Sequence, residues 1–542
     1  VFDLLLANTD NRVDRYSDLI RISDNLGEHN REKLFAKIQQ DKQHIRDNDA
    51  LLWNQIRKFL HHHQAHPNAK WALKEDSLKP YLDLYDDLTP QDVLMKNLWV
   101  FDHRIEMVNP EPASERLGNN WYEKALEFRK EALKEIYNQL GLSGTLACIS
   151  SINEPQYLGE TLAYIISDTE IVDIVNHSYK SNEDFQFLRS FFWKLNLIRS
   201  DEEIFRILDL LNLNNLPLDV AGNIATVLKQ TKDFWAYIST LDQPLIDYYW
   251  TNVHLTNWSG SDEEIIFGIN RLFEYKRYSS AANYVYMLLM DSRKLPNRIL
   301  ANCLLGIVCE NKEKFLPGSH EITTLLEKLD GSSDIEEDLM LQIQLFTVLL
   351  YHGDGYKPKR VLKALSEDVS FCIELLRWKW VHSDGIDEND KSIEQAKFKI
   401  AWEILDQFDV IPGMREDGTI DGNVLNNWVD GLRGAASEAG VLKYADGMIG
   451  DLFATYPRKA EGYPPVEICD IIEKLQSKEL NEHFDVKIHN SRGVTVRGAF
   501  DGGTLEHNEA DYYTRIAKKH RNTHPTVCHI FEGIVKSFLH EG

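Results

Sequence analysis

The sequence predicts an all-α protein: an irregular TPR- or HEAT-like α-solenoid of superhelical helix pairs, ending in a small C-terminal cap with a short β-hairpin-like element. Apolar residues recur with the helical period over most of the chain, as Ile265, Ile269 and Leu272 do. Several such stretches follow a Ser-x-x-Glu or Ser-x-x-Gln helix start. Their spacing is uneven, which favours degenerate repeats over a regular array.

The 542 residues exceed one ordinary domain, so we expect several. An N-terminal helical segment is predicted over residues 1–120, an irregular helical-repeat array over 121–410 and a C-terminal capping region over 411–542. The prolines between residues 104 and 120 indicate a connector. A glycine-richer texture begins at Ile411-Pro412-Gly413 and marks the start of the cap.

In the N-terminal segment, helical patterns cover Leu51 to Leu60 and, more briefly, Pro80 to Tyr85; Leu94 to Phe101 is apolar but of uncertain type. In the array, a break at Tyr278 to Ser280 separates two amphipathic helices and predicts a helical hairpin. Capping boxes are expected at four helix starts, which are Ser200/Glu203, Ser261/Glu264, Ser333/Glu336 and Ser392/Gln395.

The cap contains the stretch NSRGVTVRGAFDGG, from Asn490 to Gly503, which is unusually rich in glycine and arginine. Alternating residues predict two short strands around it, Phe484 to Ile488 and Val494 to Phe500. Trp428 to Ala445 is predicted to be helical, and a final helix pair follows, the second helix capped by Thr523.

The composition of the chain argues against several classes of function. The formal net charge is -25 and the pI about 5.2, which argue against direct nucleic-acid binding. No apolar run approaches the length of a membrane span, and no signal peptide is evident. Six cysteines without a Cys-x-x-Cys pair indicate buried free thiols in a reducing cytosol. A cytoplasmic protein is therefore predicted, and its start at Val1 suggests a piece of a longer chain.

Four residues are predicted partner-binding candidates. Arg492 and Arg497 lie in the glycine-rich stretch, which lacks the P-loop pattern; an architectural crossing, a partner contact and a small-molecule site remain alternatives. Trp378 and Trp380 belong to the ring-dense segment LLRWKW. At helical spacing such rings form either solenoid core or anchors for a partner peptide.

Two other motifs resemble metal sites without meeting their requirements. The run HHHQAH, His61 to His66, lacks a matching Cys or His pair nearby and is interpreted as a solvated helix end. REDGTIDGN, Arg415 to Asn423, lacks the calcium-loop spacing and is interpreted as a turn. No nucleophile, base and orienter set is evident either, so no metal, cofactor or catalytic residue is predicted.

Several stretches together resemble a known family. They include LWNQIRKFLHHHQAHPNAKWAL, IDYYWTNV, IPGMREDGTIDGNVLNNWV, HNSRGVTVRGAFDGG and the closing EADYYTRIAKKHRNTHPTVCHIFEGIVKSF. In this order they resemble the C-terminal helical-repeat region of large bacterial antiphage-defence proteins, the STAND-type NTPases called Avs. The resemblance implies an upstream effector and NTPase using ATP and Mg²⁺, and an array that recognises a phage protein and drives oligomerisation.

The sequence therefore predicts a non-catalytic protein-recognition (sensor) part of a larger bacterial antiviral defence protein, coupled to upstream NTPase and effector domains. Two alternatives stay open. One is a structural scaffold that mediates oligomerisation of the parent protein, which predicts self-association without a ligand. The other is an enzyme with a site in the 411–503 region, which predicts that Arg492, Arg497 and nearby acids converge on an open pocket.

Overall fold

The computed structural model describes residues 2–7, 9, 13–45, 49–110, 121–256, 259–310, 317–351, 355–380, 388–458, 460, 462–491 and 503–541. Over these ranges it contains 28 α-helices and no β-strand, which confirms the all-α class. None of the described helices is both long and apolar enough to cross a membrane. All six cysteines are free thiols, and every one except Cys309 is buried.

The chain forms two compact units, residues 1–268 and 269–542, so the boundary falls within one helix. The predicted division at residues 120 and 410 stays a prediction. The helices of the first unit are α1 Phe2–Ala7, α2 Val13–Arg21, α3 Glu28–Ile45, α4 Asp49–Ala65, α5 Glu75–Asp87, α6 Val93–Asn97, α7 Trp121–Ala147, α8 Pro155–Leu162, α9 Asp168–Val175, α10 Asn182–Ile198, α11 Asp201–Leu211, α12 Leu218–Ala225, α13 Lys232–Ile238 and α14 Gln243–Asn252.

The boundary helix is α15, Asp262–Glu274. The helices of the second unit are α16 Tyr278–Met290, α17 Asn297–Cys309, α18 Ser319–Asp330, α19 Glu337–Thr347, α20 Lys359–Glu367, α21 Val369–Trp380, α22 Glu388–Asp406, α23 Gly422–Glu438, α24 Leu442–Phe453, α25 Val466–Leu475, α26 Lys478–Asn490, α27 Thr504–His520 and α28 Pro525–Glu541.

Alternate helices pack against each other in the first unit: α8 on α10, α10 on α12, and α12 on α14. Glycines permit two of these close approaches. A Cβ at Gly159 of α8 would lie 2.4 Å from the carbonyl oxygen of Phe187, and one at Gly222 of α12 would lie 2.2 Å from the Tyr248 ring. Any larger residue would push the helices apart, so both positions are set by packing.

Helix starts show where the sequence patterns hold. The boxes at Ser200/Glu203 and Ser261/Glu264 are confirmed, since each serine accepts the glutamate's amide and each glutamate accepts the serine's. The predicted box at Ser333/Glu336 is wrong because α19 begins only after Glu336. Ser392/Gln395 is wrong because α22 begins four residues before Ser392. A Ser-x-x-Glu or Ser-x-x-Gln pattern forms a capping box only when its serine lies at the residue that directly precedes the helix.

The predicted strand at Phe484 to Ile488 is wrong, because these residues lie within α26. The five residues alternate apolar and polar, but Val486 is 58 % exposed, whereas Leu480, Phe484 and Ile488 are buried at a spacing of four. The longer helical period therefore determines the structure. Val494 to Phe500 lie outside the described residues. An isolated antiparallel bridge instead joins Met414 and Ile420.

Two further boundaries differ from the sequence prediction. Trp428 to Ala445 is divided between α23 and α24. The start of α28 is stabilised from another helix: Glu473 of α25 accepts the amides of Thr526, at 2.6 Å, and Val527, at 3.0 Å. This cap therefore links α25 to α28, and the two helices also pack against each other.

Candidate partner-binding surface

The C-terminal end of α21 carries an exposed tryptophan held in place by a neighbouring helix. Trp380 is 40 % exposed. Its ring stacks on Tyr444 of α24, with centroids 4.2 Å apart and planes inclined by 4°. The stack covers one face of the indole and leaves the side chain at the surface in a fixed orientation.

A lysine lies between two such rings. Lys379 follows the buried Leu375 by one helical turn, so it sits at the edge of the buried face of α21. Its ammonium lies 4.3 Å from the ring centroid of Trp402 in α22 and 5.5 Å from that of Trp380. Trp402 is itself 48 % exposed. Both distances are within the range of cation–π attraction.

Burial lowers the pKa of the Lys379 ammonium; Asp406 and Asp451 oppose this shift and Lys487 adds to it. Within the described ranges, neither Lys379 nor Lys443, whose ammonium lies 4.6 Å from the Tyr444 ring centroid, forms an ion pair with a carboxylate. Lys397 lies 5.8 Å from the Trp378 ring and does pair with Glu394, at 3.3 Å.

We call this surface the aromatic–lysine patch; its members are Lys379, Trp380, Trp402, Lys443 and Tyr444. It combines exposed indole faces with two ammonium groups that form no ion pair within the described residues, in a chain whose net charge is -25. Such a surface can bind a segment that offers both apolar or aromatic side chains and carboxylates.

Of the four residues predicted to bind a partner, Trp380 belongs to this patch. Trp378 is half-buried, lies two positions before Trp380 in α21 and therefore points away from it. Arg492 and Arg497 lie outside the described residues. Trp402, Tyr444 and Lys379 were missed, because α21, α22 and α24 meet only in the folded chain. One signal was available: Phe398 and Trp402 are one turn apart in α22, so their rings share a helix face.

The alternative of an enzyme site in the 411–503 region stays a prediction, because Arg492 and Arg497 lie outside the described residues. The three arginines that the structure describes in this region are each paired with a carboxylate. Arg415 pairs with Asp421 at 3.1 Å, Arg433 with the buried Asp446 at 2.7 Å, and Arg458 with Glu509. Each guanidinium is thus engaged in an internal pair. The predicted turn at REDGTIDGN is confirmed, since Asp417 accepts the amide and the hydroxyl of Thr419.

A cavity of about 720 Å³ in the first unit is a rival site, bordered by α10, α12 and α14. Its polar side chains bond mainly to each other. Arg189 donates to Asn223 at 2.7 Å, and Asn223 donates to the Tyr248 hydroxyl at 3.2 Å. These bonds fix the packing of the three helices, so the cavity offers fewer unengaged groups than the aromatic–lysine patch.

The run His61 to His66 differs from the solvated helix end that its sequence predicts. His63 is buried, and its ring packs edge-on against Phe59 with centroids 4.5 Å apart. His62 stacks on Trp71 at 4.2 Å, and a ring nitrogen of His61 lies 2.9 Å from the Met107 carbonyl oxygen. The chain that follows α4 folds back over the helix end, which sequence periodicity could not reveal.

Comparison of the chain with protein-family models, with curated proteins and with solved structures finds no match.

Proposed function

We propose that this chain is the protein-recognition part of a larger antiphage-defence protein, and that the aromatic–lysine patch binds an acidic, aromatic-containing segment of its protein ligand. The observation that carries the proposal is the exposed pair Trp380 and Trp402 around Lys379, an ammonium group without an ion pair in the described chain. Tryptophan is the residue most enriched among those that dominate binding energy.

The patch is also organised before binding. Trp380 is already stacked on Tyr444 and Lys379 already lies over Trp402, so a ligand would immobilise few additional rotamers. Ordering a flexible side chain costs about 0.5–1.5 kcal/mol, so preorganisation favours affinity. The lysines would steer acidic segments towards the patch and disfavour basic ones.

The packing of the first unit supports the predicted recognition array. In α-solenoids, equivalent helices of successive repeats pack next to each other, and the alternate packing of α8, α10, α12 and α14 has this pattern. The unequal helix lengths suit an irregular TPR- or HEAT-like array. Under this proposal the parent protein supplies the ATP- and Mg²⁺-dependent NTPase, and ligand binding favours its assembled state through a higher affinity for that state.

The test compares three tagged forms of the full chain: wild type, Trp380→Ala/Trp402→Ala, and Trp193→Ala. Trp193 is a matched comparison, because it is 42 % exposed and lies 5.7 Å from the ammonium of Lys194 in the first unit. It also lines the rival cavity, so loss of retention in Trp193→Ala alone would assign binding to that cavity. Each form is incubated with nuclease-treated lysates of phage-infected cells, and retained proteins are quantified by mass spectrometry. We expect wild type and Trp193→Ala to retain one phage protein in equal amounts. The amount that the double variant retains should be lower by at least about tenfold.

Equal retention by all three forms would refute the role of the patch. A parallel lysate left without nuclease serves as a second comparison, and retention seen only in that lysate would indicate nucleic acid rather than protein. Sedimentation of the purified wild-type chain without any lysate separates the scaffold alternative, since that alternative predicts self-association of the isolated chain.

A further inference from the structure

One cysteine and two histidines converge in the second unit although they are far apart in the sequence. Cys469 lies in α25, His520 is the last residue of α27, and His524 directly precedes α28. One potential ligand atom from each side chain lies within 4.8 Å of the others. The Nδ1 atoms of His520 and His524 are 3.1 Å apart.

The fold explains this convergence. Only three residues separate α27 from His524, and the amide of His524 donates to the carbonyl oxygen of His520 at 2.8 Å, so the two rings lie side by side. The cap that Glu473 provides to α28 holds α25 against the same turn. Cys469 lies one helical turn before Glu473 in α25, which brings its thiol to the two rings.

All three side chains are withdrawn from solvent. Cys469 is 0 % exposed, His520 4 % and His524 9 %. Nε2 of His520 has no hydrogen-bond partner among the residues that the structure describes. A buried polar atom left without a partner destabilises the fold, so it calls for an explanation.

The surroundings resemble a metal site beyond its ligands. Nε2 of His524 lies 3.1 Å from a carboxylate oxygen of Asp470. Histidines that bind metals commonly donate their second ring N–H to a carboxylate, which fixes the tautomer and the ring orientation.

We propose that Cys469, His520 and His524 bind one divalent zinc-class ion, with a water molecule in the fourth position. Thiolate and imidazole together are the donor set that zinc prefers, and three protein ligands plus water is a known arrangement. Tetrahedral zinc holds its ligand atoms about 3.3–3.8 Å apart. The three potential ligand atoms already lie within 4.8 Å of one another, so no pair needs to close by more than about 1.5 Å. Binding releases the thiol proton of Cys469 to solvent.

Cobalt(II) is the probe, because its spectrum reports both ligand type and geometry. The full chain is stripped with a chelator and titrated with Co²⁺. We expect one ion per chain, visible absorption of tetrahedral intensity and a thiolate-to-cobalt charge-transfer band, all displaced by Zn²⁺. Cys469→Ala should abolish the charge-transfer band, whereas Cys372→Ala, which removes an equally buried thiol of the same unit, should keep it.

Absence of the charge-transfer band in wild type, or its persistence in Cys469→Ala, would overturn the proposal and leave a hydrogen-bonded pair of neutral imidazoles. If circular dichroism shows that Cys469→Ala does not fold, Asp470→Asn decides, because this side chain is 65 % exposed and its loss is compatible with folding. It should weaken Co²⁺ binding by about 10–100-fold. Unchanged affinity in that variant would count against the site.

Discussion

Histidines gather at two places in this chain, at the end of α4 in the first unit and between α27 and α28 in the second. The first group is contiguous in sequence, yet its rings contact different partners: His61 faces a carbonyl oxygen, His62 stacks on Trp71 and His63 packs on Phe59. The second group holds two histidines four residues apart, whose ring nitrogens meet each other and lie close to Cys469 of a separate helix.

The difference has a geometric cause. Successive residues of an α-helix point about 100° apart, so three adjacent histidines diverge from one another. Residues from separate helices converge wherever the packing brings their faces together. Density of ligand-type residues in a sequence is therefore a poor guide to a metal site, unless the spacing suits the secondary structure on which the residues lie.

The strongest test of this contrast is His63→Ala. The ring is 1 % exposed, and its Nδ1 accepts the amide of Leu73 at 3.2 Å. Removing it leaves a cavity and an unsatisfied amide, so we expect a loss of about 2–4 kcal/mol of stability. Thermal unfolding of the full chain should show a melting temperature lower by about 5–10 °C.

The matched control is His29→Ala on the neighbouring helix α3, where the side chain is exposed and a change below about 0.5 kcal/mol is expected. The proposed difference between the two groups would be refuted if His63→Ala had the melting temperature of wild type but no longer bound Co²⁺. That result would make the contiguous run the metal site.

A smaller effect concerns protonation of the second group in the metal-free chain. Burial, with Lys519 and His524 nearby, lowers the folded-state pKa of His520 to about 4, below the value near 6.5 of an unfolded histidine. The unfolded chain therefore binds more protons between these two values. The stabilising contribution is complete above about pH 6.5 and is lost as the pH falls towards about 4.

Melting temperatures measured with chelator present, from pH 7 to pH 4, test this expectation. His520→Gln cannot titrate, so its melting temperature should fall less than that of wild type over the same interval. Parallel curves for the two proteins would show that His520 is not held neutral by the fold.

Local signals predicted much of the fold. Helical periodicity identified the all-α class and the final helix pair, because those patterns are decided by neighbours within one helix. It failed at Phe484 to Ile488, where a strict alternation over five residues is also part of a helical face that begins at Leu480. Only the longer window separates the two periods.

The candidate sites were predictable only in part, because each combines residues from different helices. Trp380 was selected because its segment LLRWKW is dense in aromatic rings, but the Tyr444 ring that orients it belongs to another helix. Cys469 gave no signal at all, since its histidine neighbours follow some fifty residues later in the chain. Contacts between helices depend on packing angles, which local sequence does not encode.

The finest test is His62→Ala, which asks whether the contiguous run is held by ring stacking. The His62 and Trp71 rings are nearly parallel, inclined by 10°, and both side chains are partly solvent-exposed. Because stacked aromatic pairs contribute about 0.5–1.5 kcal/mol and exposure weakens this, we expect the melting temperature to fall by about 1–4 °C. His62→Phe should restore it, since a phenyl ring stacks without offering a metal ligand. A different result would assign His62 to metal binding and remove the distinction between the two histidine groups. In that case His62→Phe would remain less stable than wild type, and added Zn²⁺ would raise the melting temperature of wild type alone.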